Sequence, residues 1–218
     1  MKPRSSHRTN HALTLVEVLV IVAVLAILAA ILLLALAITR KKTSRIGCVN
    51  NLKQIGLAYR VWSGDNSDKY PMGISVTNGG SMEMVATGNV TQTFLVMSNE
   101  LSTAKILHCP QDAKHIVADS FDGLTSSNIS YFVAVDVTNS VDPQAILSGD
   151  DNFQVSGLPV KSGLLELWSS PPISWTSARH KFAGYILVND GSVQQLTQNG
   201  LRQAFQQSST ATNRLAIP

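Results

Sequence analysis

Proline is missing from a long stretch near the start of the chain, with none between Pro3 and Pro71. Within this stretch, the 21 residues from Val18 to Ile38 also contain no glycine and no charged residue. As a helix, this run would be roughly 32 Å long, about the thickness of the hydrocarbon core of a bilayer. A core helix of a soluble protein almost always has a polar face, and this run has none. We therefore expect the segment to cross a membrane.

Charge is scarce and unevenly distributed. Charged residues make up 14% of the chain, and the formal net charge is +3. The basic excess flanks the apolar run on both sides, whereas residues 64–218 contain 8 Lys and Arg against 13 Asp and Glu. Basic residues beside an apolar span serve topology and contacts with lipid headgroups, and a nucleic-acid surface would need them on the folded body. We therefore expect the protein to contact a lipid bilayer and not to bind nucleic acid.

Enzyme signatures are also missing: the sequence has no G-x-S-x-G, P-loop, H-E-x-x-H or C-x-x-C motif. The spacing of His108, Cys109 and His115 matches no standard zinc pattern. The acidic turn at Asp150 and Asp151 is compatible with a solvated turn and with a Ca²⁺ site, although it does not fit the EF-hand loop. We expect no catalytic residue, no enzymatic activity and no cofactor. We also expect no metal, and the one alternative is a Ca²⁺ ion at the turn of Asp150 and Asp151.

The chain has only two cysteines, Cys48 and Cys109. They can form a disulfide if the body of the protein is exported, whereas in the cytosol both would be free thiols. A bridge would close a loop of about 60 residues and stabilise the fold by about 4 kcal/mol in the chain-entropy model. Two small buried apolar side chains explain the same residues, so the sequence leaves the pairing open.

Beyond the apolar run the pattern becomes amphipathic. A stripe of apolar residues recurs at steps of four and three, as on one face of a helix; its members are Cys48, Leu52, Ile55, Tyr59 and Trp62. Gly64 and Asp65 form a helix stop signal. The pattern predicts one long helix with a membrane half at residues 13–38 and an amphipathic half at 39–64. Residues 1–12 are polar and basic, which indicates a leader peptide.

Residues 65–218 contain short apolar runs separated by Gly, Ser, Asn, Asp and Pro. Asp190 and Gly191, between two β-prone runs, predict a hairpin with a type I′ turn, which needs positive φ at both positions. The spacing of Leu201 and Phe205 predicts a short C-terminal helix, and the polar residues 208–213 predict a mobile tail. We therefore expect an α+β protein, with the long N-terminal helix packed on a small antiparallel-sheet head.

The segment from His11 to Glu17 resembles the processing site of type IV prepilins and type II secretion pseudopilins. In that family, a short basic leader ends in a small residue, and a Glu stands five positions into the mature chain at the start of a long apolar helix. The resemblance makes Ala12 the last leader residue, Leu13 the new N-terminus and Glu17 the family glutamate. It implies that a prepilin peptidase cuts between Ala12 and Leu13 and methylates the amine of Leu13.

Segments elsewhere are similar to a variant of the same family; they are Cys48–Ala58, Tyr70–Pro71, Leu107–Pro110, Arg179–His180 and Asp190–Val193. The resemblance implies a pilin-like head and a structural subunit of a type IV pilus-like filament or of a type II secretion pseudopilus, which serves protein transport. The implied partners are other pilin or pseudopilin subunits, the peptidase and an inner-membrane assembly platform. Some family members bind Ca²⁺ in the head.

The direction across the membrane also follows from the resemblance, because the cations on the two sides of the span do not choose one. It implies a single-pass protein of the bacterial inner membrane, with residues 1–12 cytoplasmic and the head periplasmic or in a periplasmic or extracellular filament. The rival interpretation is a signal-anchored periplasmic binding protein that does not assemble into filaments. The mature N-terminus distinguishes the interpretations: Leu13 for a prepilin, about Ile31 for a secreted protein with an ordinary cleaved signal, and Met1 for a plain signal anchor.

Glu17 has a specific role under the first interpretation. A carboxylate at membrane depth is costly unless it is paired, and no cation lies within two helical turns after Glu17. The free amine of Leu13 of a neighbouring subunit would supply a partner, which predicts that Glu17 acts in assembly. Alternatively, Glu17 reaches the headgroups from the first turn of the helix, where an acid also suits the helix dipole.

Overall fold

A computed structural model describes residues 14–168, 172–207 and 212–218 and, within them, all side chains but those of residues 34, 35, 37–42 and 212. The predicted leader at residues 1–12 lies outside this part of the chain, and so do Ala12 and Leu13. Residues 208–211 of the predicted mobile tail lie outside it as well. The chain divides into two compact units, Met1–Thr43 and Ser44–Pro218.

Helix α1 (Leu15–Asp65) contributes residues to both units. Its bounds lie close to those predicted from the proline-free stretch and from the stop signal after residue 63. In the second unit, the remaining helices are α2 (Met82–Val85), α3 (Val90–Val96), α4 (Ser98–Leu101) and α5 (Gln198–Gln206). Short 3₁₀ turns lie at Pro71–Gly73, Val76–Asn78, Ala104–Leu107 and Ser126–Asn128.

The strands all lie in the second unit. They are β1 (Tyr131–Ala134), β2 (Ile146–Asp150), β3 (Phe153–Val155), β4 (Leu158–Pro159), β5 (Gly163–Trp168), β6 (Ile173–Trp175), β7 (Gly184–Val188), β8 (Val193–Leu196) and β9 (Thr212–Ile217). A six-stranded sheet has the order β5-β9-β1-β2-β7-β8, and a three-stranded sheet has the order β4-β3-β6. Every pair of neighbours is antiparallel. The predicted α+β class, with an N-terminal apolar helix and an antiparallel-sheet domain, is thereby confirmed.

The C-terminal strand differs from expectation. Strand β9 lies inside the larger sheet, with Asn213 opposite Leu167 of β5 and Leu215 opposite Ala134 of β1. Residues 212 and 213, which the polar composition placed in a mobile tail, are thus part of a strand. Pairing on both sides satisfies the backbone of β9, and local polarity does not reveal such pairing.

Two apolar cores lie on the two faces of the larger sheet. The first contains the stripe predicted on α1, whose members are all buried: Cys48, Leu52, Ile55, Tyr59 and Trp62. Alternate residues of the strands, such as Tyr131 and Val133 of β1, face this core, while Phe132 faces the second core together with β3, β6 and α5. The predicted short helix is α5, and both Leu201 and Phe205 on it are buried.

Two glycines of α1 lie where the helix contacts the rest of the second unit. A Cβ at Gly56 would come 2.8 Å from Cδ1 of Leu187, and one at Gly47 would come 3.1 Å from Cγ of Pro110. Each glycine costs a helix about 1 kcal/mol relative to alanine. The close approach of the β7 side chain and of the loop after residue 107 explains why the helix carries glycine at these positions.

The turn between β7 and β8 is not of the predicted type. Gly191 has φ of 85°, but Asn189 and Asp190 are not among the described residues with positive φ. The amide of Gly191 donates to the carbonyl of Val188 (2.8 Å), and the amide of Val188 donates to the carbonyl of Ser192 (2.9 Å). The loop between the strands therefore has three residues and one left-handed glycine. A type I′ hairpin turn has only two loop residues, both with positive φ.

Candidate functional site

The N-terminal end of α1 forms a capping box. The amide of Thr14 donates to Oε2 of Glu17 (2.8 Å), and the amide of Glu17 donates to Oγ1 of Thr14 (3.2 Å). This exchange satisfies two amides that the first turn of a helix leaves without a partner. The Thr-x-x-Glu pattern is visible in the sequence, but neither the assembly role nor the interfacial role expected for Glu17 took it into account. Glu17 therefore has a local structural role at the start of α1.

The segment directly after Glu17 is apolar and exposed. Among the described residues, Leu15–Leu33 is the one helical segment long and apolar enough to cross a membrane, and none of it is buried. Such a helix near the N-terminus suits a membrane anchor and equally a signal sequence. A fully exposed apolar helix of this length is costly in water, so the segment requires a lipid or protein environment.

The structure brings the two cysteines together. Cys48 on α1 and Cys109, in the loop after the 3₁₀ turn at Ala104–Leu107, form a disulfide with Cα atoms 4.9 Å apart, and both residues are completely buried. The amide of Cys109 donates to Oγ of Ser130, which lies directly before β1 (3.0 Å). The bridge thus ties the helix to the loop at the edge of a buried polar cluster.

That cluster is centred on Arg179, which is 4% exposed. Its Nη1 lies 3.2 Å from Oδ2 of Asp112 and 3.7 Å from Oδ1 of Asp150, and its Nη2 is in contact with Oδ1 of Asp151. Nη1 also donates to the carbonyl of Ser130 (3.1 Å). One guanidinium therefore faces three buried carboxylates. We call these four residues, Asp112, Asp150, Asp151 and Arg179, the Arg179 cluster.

Asp112 makes the densest set of hydrogen bonds in the Arg179 cluster. Its Oδ2 accepts from Oγ of Ser130 (2.6 Å) and from Nδ1 of His115 (2.7 Å), and its Oδ1 accepts from the amide of Lys114 (2.8 Å). Burial raises the pKa of Asp112, but the hydrogen bond from His115 and the charge of Arg179 outweigh burial and hold the pKa well below its usual range. Asp112 is therefore ionised at neutral pH.

The remaining charges lie around Asp151. Nζ of Lys114 is 3.2 Å from its Oδ2, and Nε2 of His115 is 3.7 Å from the same oxygen. Burial and the nearby charge of Arg179 lower the pKa of Lys114. Asp150 and Asp151 are thus not in the solvated turn that their sequence suggested: both are buried, and Arg179 and Lys114 already supply positive charge beside them.

Arg179 and His180 owe their positions to an unusual backbone. His180, Lys181 and Phe182 all have positive φ, of 54°, 54° and 60°. Left-handed conformations cost roughly 1–2 kcal/mol for each such residue. The turn directs Arg179 and His180 into the interior and leaves Lys181 and Phe182 exposed.

His180 lies between the disulfide and the Arg179 cluster. Its Nε2 is 3.5 Å from Sγ of Cys109 and 3.3 Å from Oδ2 of Asp150, and its ring packs edge-on against Tyr185. The sulfur and the carboxylate approach the same ring nitrogen, so the imidazole cannot relay a proton from one to the other across the ring, as a Cys-His-Asp triad requires. The arrangement does not suit nucleophilic catalysis.

An open cavity of about 300 Å³ lies beside the Arg179 cluster. Its lining includes four charged residues, Asp112, Lys114, Asp151 and Arg179, and apolar residues such as Phe153 and Val160. These charges are paired with one another, so the cavity has no unpaired charge from this set to offer a ligand.

No pattern in the sequence predicts the Arg179 cluster. Arg179 and His180 stand out in the sequence only as one of the segments of the family resemblance, and Asp112 does not stand out at all. Comparison with protein-family models, with curated proteins and with solved structures finds no match to this chain. The fold and these sites define an α+β protein with an N-terminal apolar helix, a candidate membrane anchor or signal sequence, and an antiparallel-sheet domain closed by one disulfide.

Proposed function

We propose that this protein is a structural subunit of a type IV pilus-like filament or of a type II secretion pseudopilus, anchored in the bacterial inner membrane by its N-terminal helix. The observation that carries the proposal is that one helix, α1, contains both the exposed apolar segment Leu15–Leu33 and the stripe from Cys48 to Trp62 buried in the sheet domain. A removable signal sequence has no need to continue as the central helix of the folded domain. A filament subunit, by contrast, needs such a continuous helix if the same helix both anchors it in the membrane and packs in its folded domain.

The interior of the sheet domain supports a structural role. The buried charges of the Arg179 cluster are paired with one another, and the disulfide is completely buried. These features stabilise a domain and do not present a nucleophile or an acid–base pair to a substrate. We accordingly propose a periplasmic, pilin-like head with the leader on the cytoplasmic side. The proposed partners are like subunits, a prepilin peptidase and an inner-membrane assembly platform.

A signal-anchored periplasmic binding protein is the second candidate, and the cavity beside Asp151 is the observation in its favour. Such a protein would keep its first residues and would not enter fibres. The mature N-terminus and the fibre content therefore separate the two functions.

The first prediction concerns processing. In a bacterium that has a prepilin peptidase, the mature chain is expected to begin at Leu13 with a methylated amine, as measured by mass spectrometry of the N-terminal peptide. Replacing Ala12 with leucine should leave the leader attached, because the family site requires a small residue there, whereas Ala12→Gly should be processed at least as well as the native chain. An intact Met1 start in the native chain contradicts the proposal.

The second prediction concerns Glu17. Glutamine at this position keeps an acceptor for the amide of Thr14 but removes the charge, whereas leucine removes both. If the charge pairs with the amine of a neighbouring subunit, Glu17→Gln and Glu17→Leu should both lower fibre content, by roughly tenfold if the lost pair is worth about 1.4 kcal/mol. Abundance in the membrane and the N-terminus should stay unchanged.

The matched pair of variants also shows how this prediction would fail. Normal fibres from Glu17→Gln, with few from Glu17→Leu, would mean that Glu17 acts through the capping box alone. Normal fibres from both would remove Glu17 from assembly altogether. Fibres are counted by electron microscopy of sheared material, and subunits by immunoblot of membranes and fibres.

A further inference from the structure

The surroundings of the disulfide combine three kinds of metal ligand. The sulfur atoms of Cys48 and Cys109 and a ring nitrogen of His180 all lie within 4.8 Å of one another, and all three residues are buried. Oδ2 of Asp150 lies 3.3 Å from Nε2 of His180. Two thiolates, an imidazole and a carboxylate are a ligand set that suits Zn²⁺.

The distances from Nε2 of His180 to the sulfur and to the carboxylate are compatible with a metal site. Nε2 lies 3.5 Å from Sγ of Cys109 and 3.3 Å from Oδ2 of Asp150. In a tetrahedral zinc site with ordinary bond lengths, the sulfur–nitrogen edge is roughly 3.6 Å and the nitrogen–oxygen edge roughly 3.3 Å. The nitrogen–oxygen distance is, by contrast, longer than a good N–H···O hydrogen bond.

We propose that, when the Cys48–Cys109 bond is reduced, these two cysteines, His180 and Asp150 bind one Zn²⁺ ion. The protein thus carries at one point either a disulfide or a metal, and both join α1 to the loop after residue 107. This inference goes beyond the proposed filament function and does not depend on it.

The exchange between the two states balances. A dithiol reductant donates two electrons and two protons to the Cys48–Cys109 bond, which gives two protein thiols and the disulfide of the reductant. Zn²⁺ then displaces the two thiol protons to solvent, because zinc binds thiolate. The ion with two thiolates and one carboxylate has a net charge of −1, and Nη1 of Arg179, 3.7 Å from Oδ1 of Asp150, offsets it.

The groups around the ligands affect the expected affinity in opposite directions. The amide of Tyr185 donates to Oδ2 of Asp150 (2.8 Å), which orients the carboxylate. Nδ1 of His180 has no hydrogen-bond partner among the described residues. A partner on the second ring nitrogen is typically worth 10–100-fold in metal affinity, so we expect a site weaker than a structural zinc finger by about that factor.

The test uses the full chain in detergent micelles. The protein is reduced with a phosphine, the reductant is removed without oxygen, and bound zinc is measured by equilibrium dialysis and elemental analysis. The reduced protein should bind about one Zn²⁺ per chain and the oxidised protein none, because oxidation removes both thiolates. Co²⁺ in place of Zn²⁺ should show thiolate-to-metal charge-transfer absorption in the reduced form alone.

Variants assign the ligands. His180→Gln should weaken zinc binding at least about tenfold, and His180→Cys, which restores a ligand atom, should recover it. His108→Gln is the matched control: Nε2 of His108 lies 3.1 Å from the carbonyl oxygen of His115, and His108 belongs to neither set of neighbouring ligands among the described residues. Zinc binding should therefore not change. Near-ultraviolet circular dichroism confirms that each variant is folded.

Three results would overturn the proposal. The reduced native protein could bind no zinc, or a folded His180→Gln protein could bind it as tightly as the native chain. The oxidised protein could also bind zinc as tightly as the reduced one and lose it with His115→Gln. The ion would then belong to Asp112, His115 and Asp151, the other set of neighbouring ligands among the described residues.

Discussion

Replacing Arg179 with leucine is expected to lower the free energy of unfolding of the sheet domain by about 3–5 kcal/mol, the usual cost of removing one partner from a buried ion pair. The guanidinium faces the carboxyl groups of Asp112, Asp150 and Asp151, and the side chain of each is buried. Without it, Lys114 and His115 are the remaining cationic or titratable partners of Asp112 and Asp151, and Asp150 keeps His180. Uncompensated negative charge in a buried site is the physical cause of the loss.

Urea denaturation of the full chain in detergent measures this effect, with the buried Trp62 and Trp175 as fluorescent probes. Arg202→Leu is the matched control, since Arg202 is exposed and donates one hydrogen bond to the carbonyl of Ile173 (3.0 Å); it should cost about 1 kcal/mol or less. Adding Asp112→Asn to Arg179→Leu should recover part of the loss, because one unpaired charge is removed.

A different pattern would change the interpretation of the cluster. If Arg179→Leu proves no more costly than Arg202→Leu, the attraction in the cluster merely offsets the cost of burying its charges. If Asp112→Asn adds its full cost to that of Arg179→Leu, the two side chains act independently in spite of the 3.2 Å between Nη1 and Oδ2.

Removing the disulfide is expected to have an effect of similar size. The bridge joins residues with a sequence separation of 61, and closing such a loop stabilises the native state by about 4 kcal/mol in the chain-entropy model. The double substitution Cys48→Ala and Cys109→Ala should lower the free energy of unfolding by about this amount, measured by the same urea experiment in the presence of a chelator.

The reduced native protein serves as the control for this experiment. Reduction removes the covalent link but keeps the volume of both sulfur atoms. The free energy of unfolding of the reduced native protein should therefore be close to that of the double variant. It should exceed that value only by the contribution of packing the two sulfur atoms. Equal stability of the oxidised and reduced native proteins would show that the link contributes nothing and that the cysteines act as buried apolar side chains.

Local periodicity was enough to predict the helices that carry the main contacts. The stripe from Cys48 to Trp62 and the pair Leu201 and Phe205 follow helical spacing, and all of these residues are buried. This works because a helix presents every third and fourth residue to the same neighbour, whichever element that neighbour is.

The Arg179 cluster could not be predicted in the same way. Asp112 comes from a loop, Asp150 from the end of β2, and Arg179 from a left-handed turn before β7. No periodic spacing connects these positions, and the pairing of β2 with β1 and β7 is what brings them together. The Thr14–Glu17 capping box is different, because its signal is local and was open to detection.

The sequence by itself determined the apolar segment, the long helix with its buried stripe, and the α+β class, because each depends on the order of side chains along a short stretch of chain. Only the tertiary structure decided that Cys48 meets Cys109, that Asp150 and Asp151 pair with Arg179, and that residues 212–217 form a strand inside the sheet. These outcomes depend on contacts between segments far apart in the chain. Such contacts form only where the packing of α1 and the register of the strands place both partners at bonding distance.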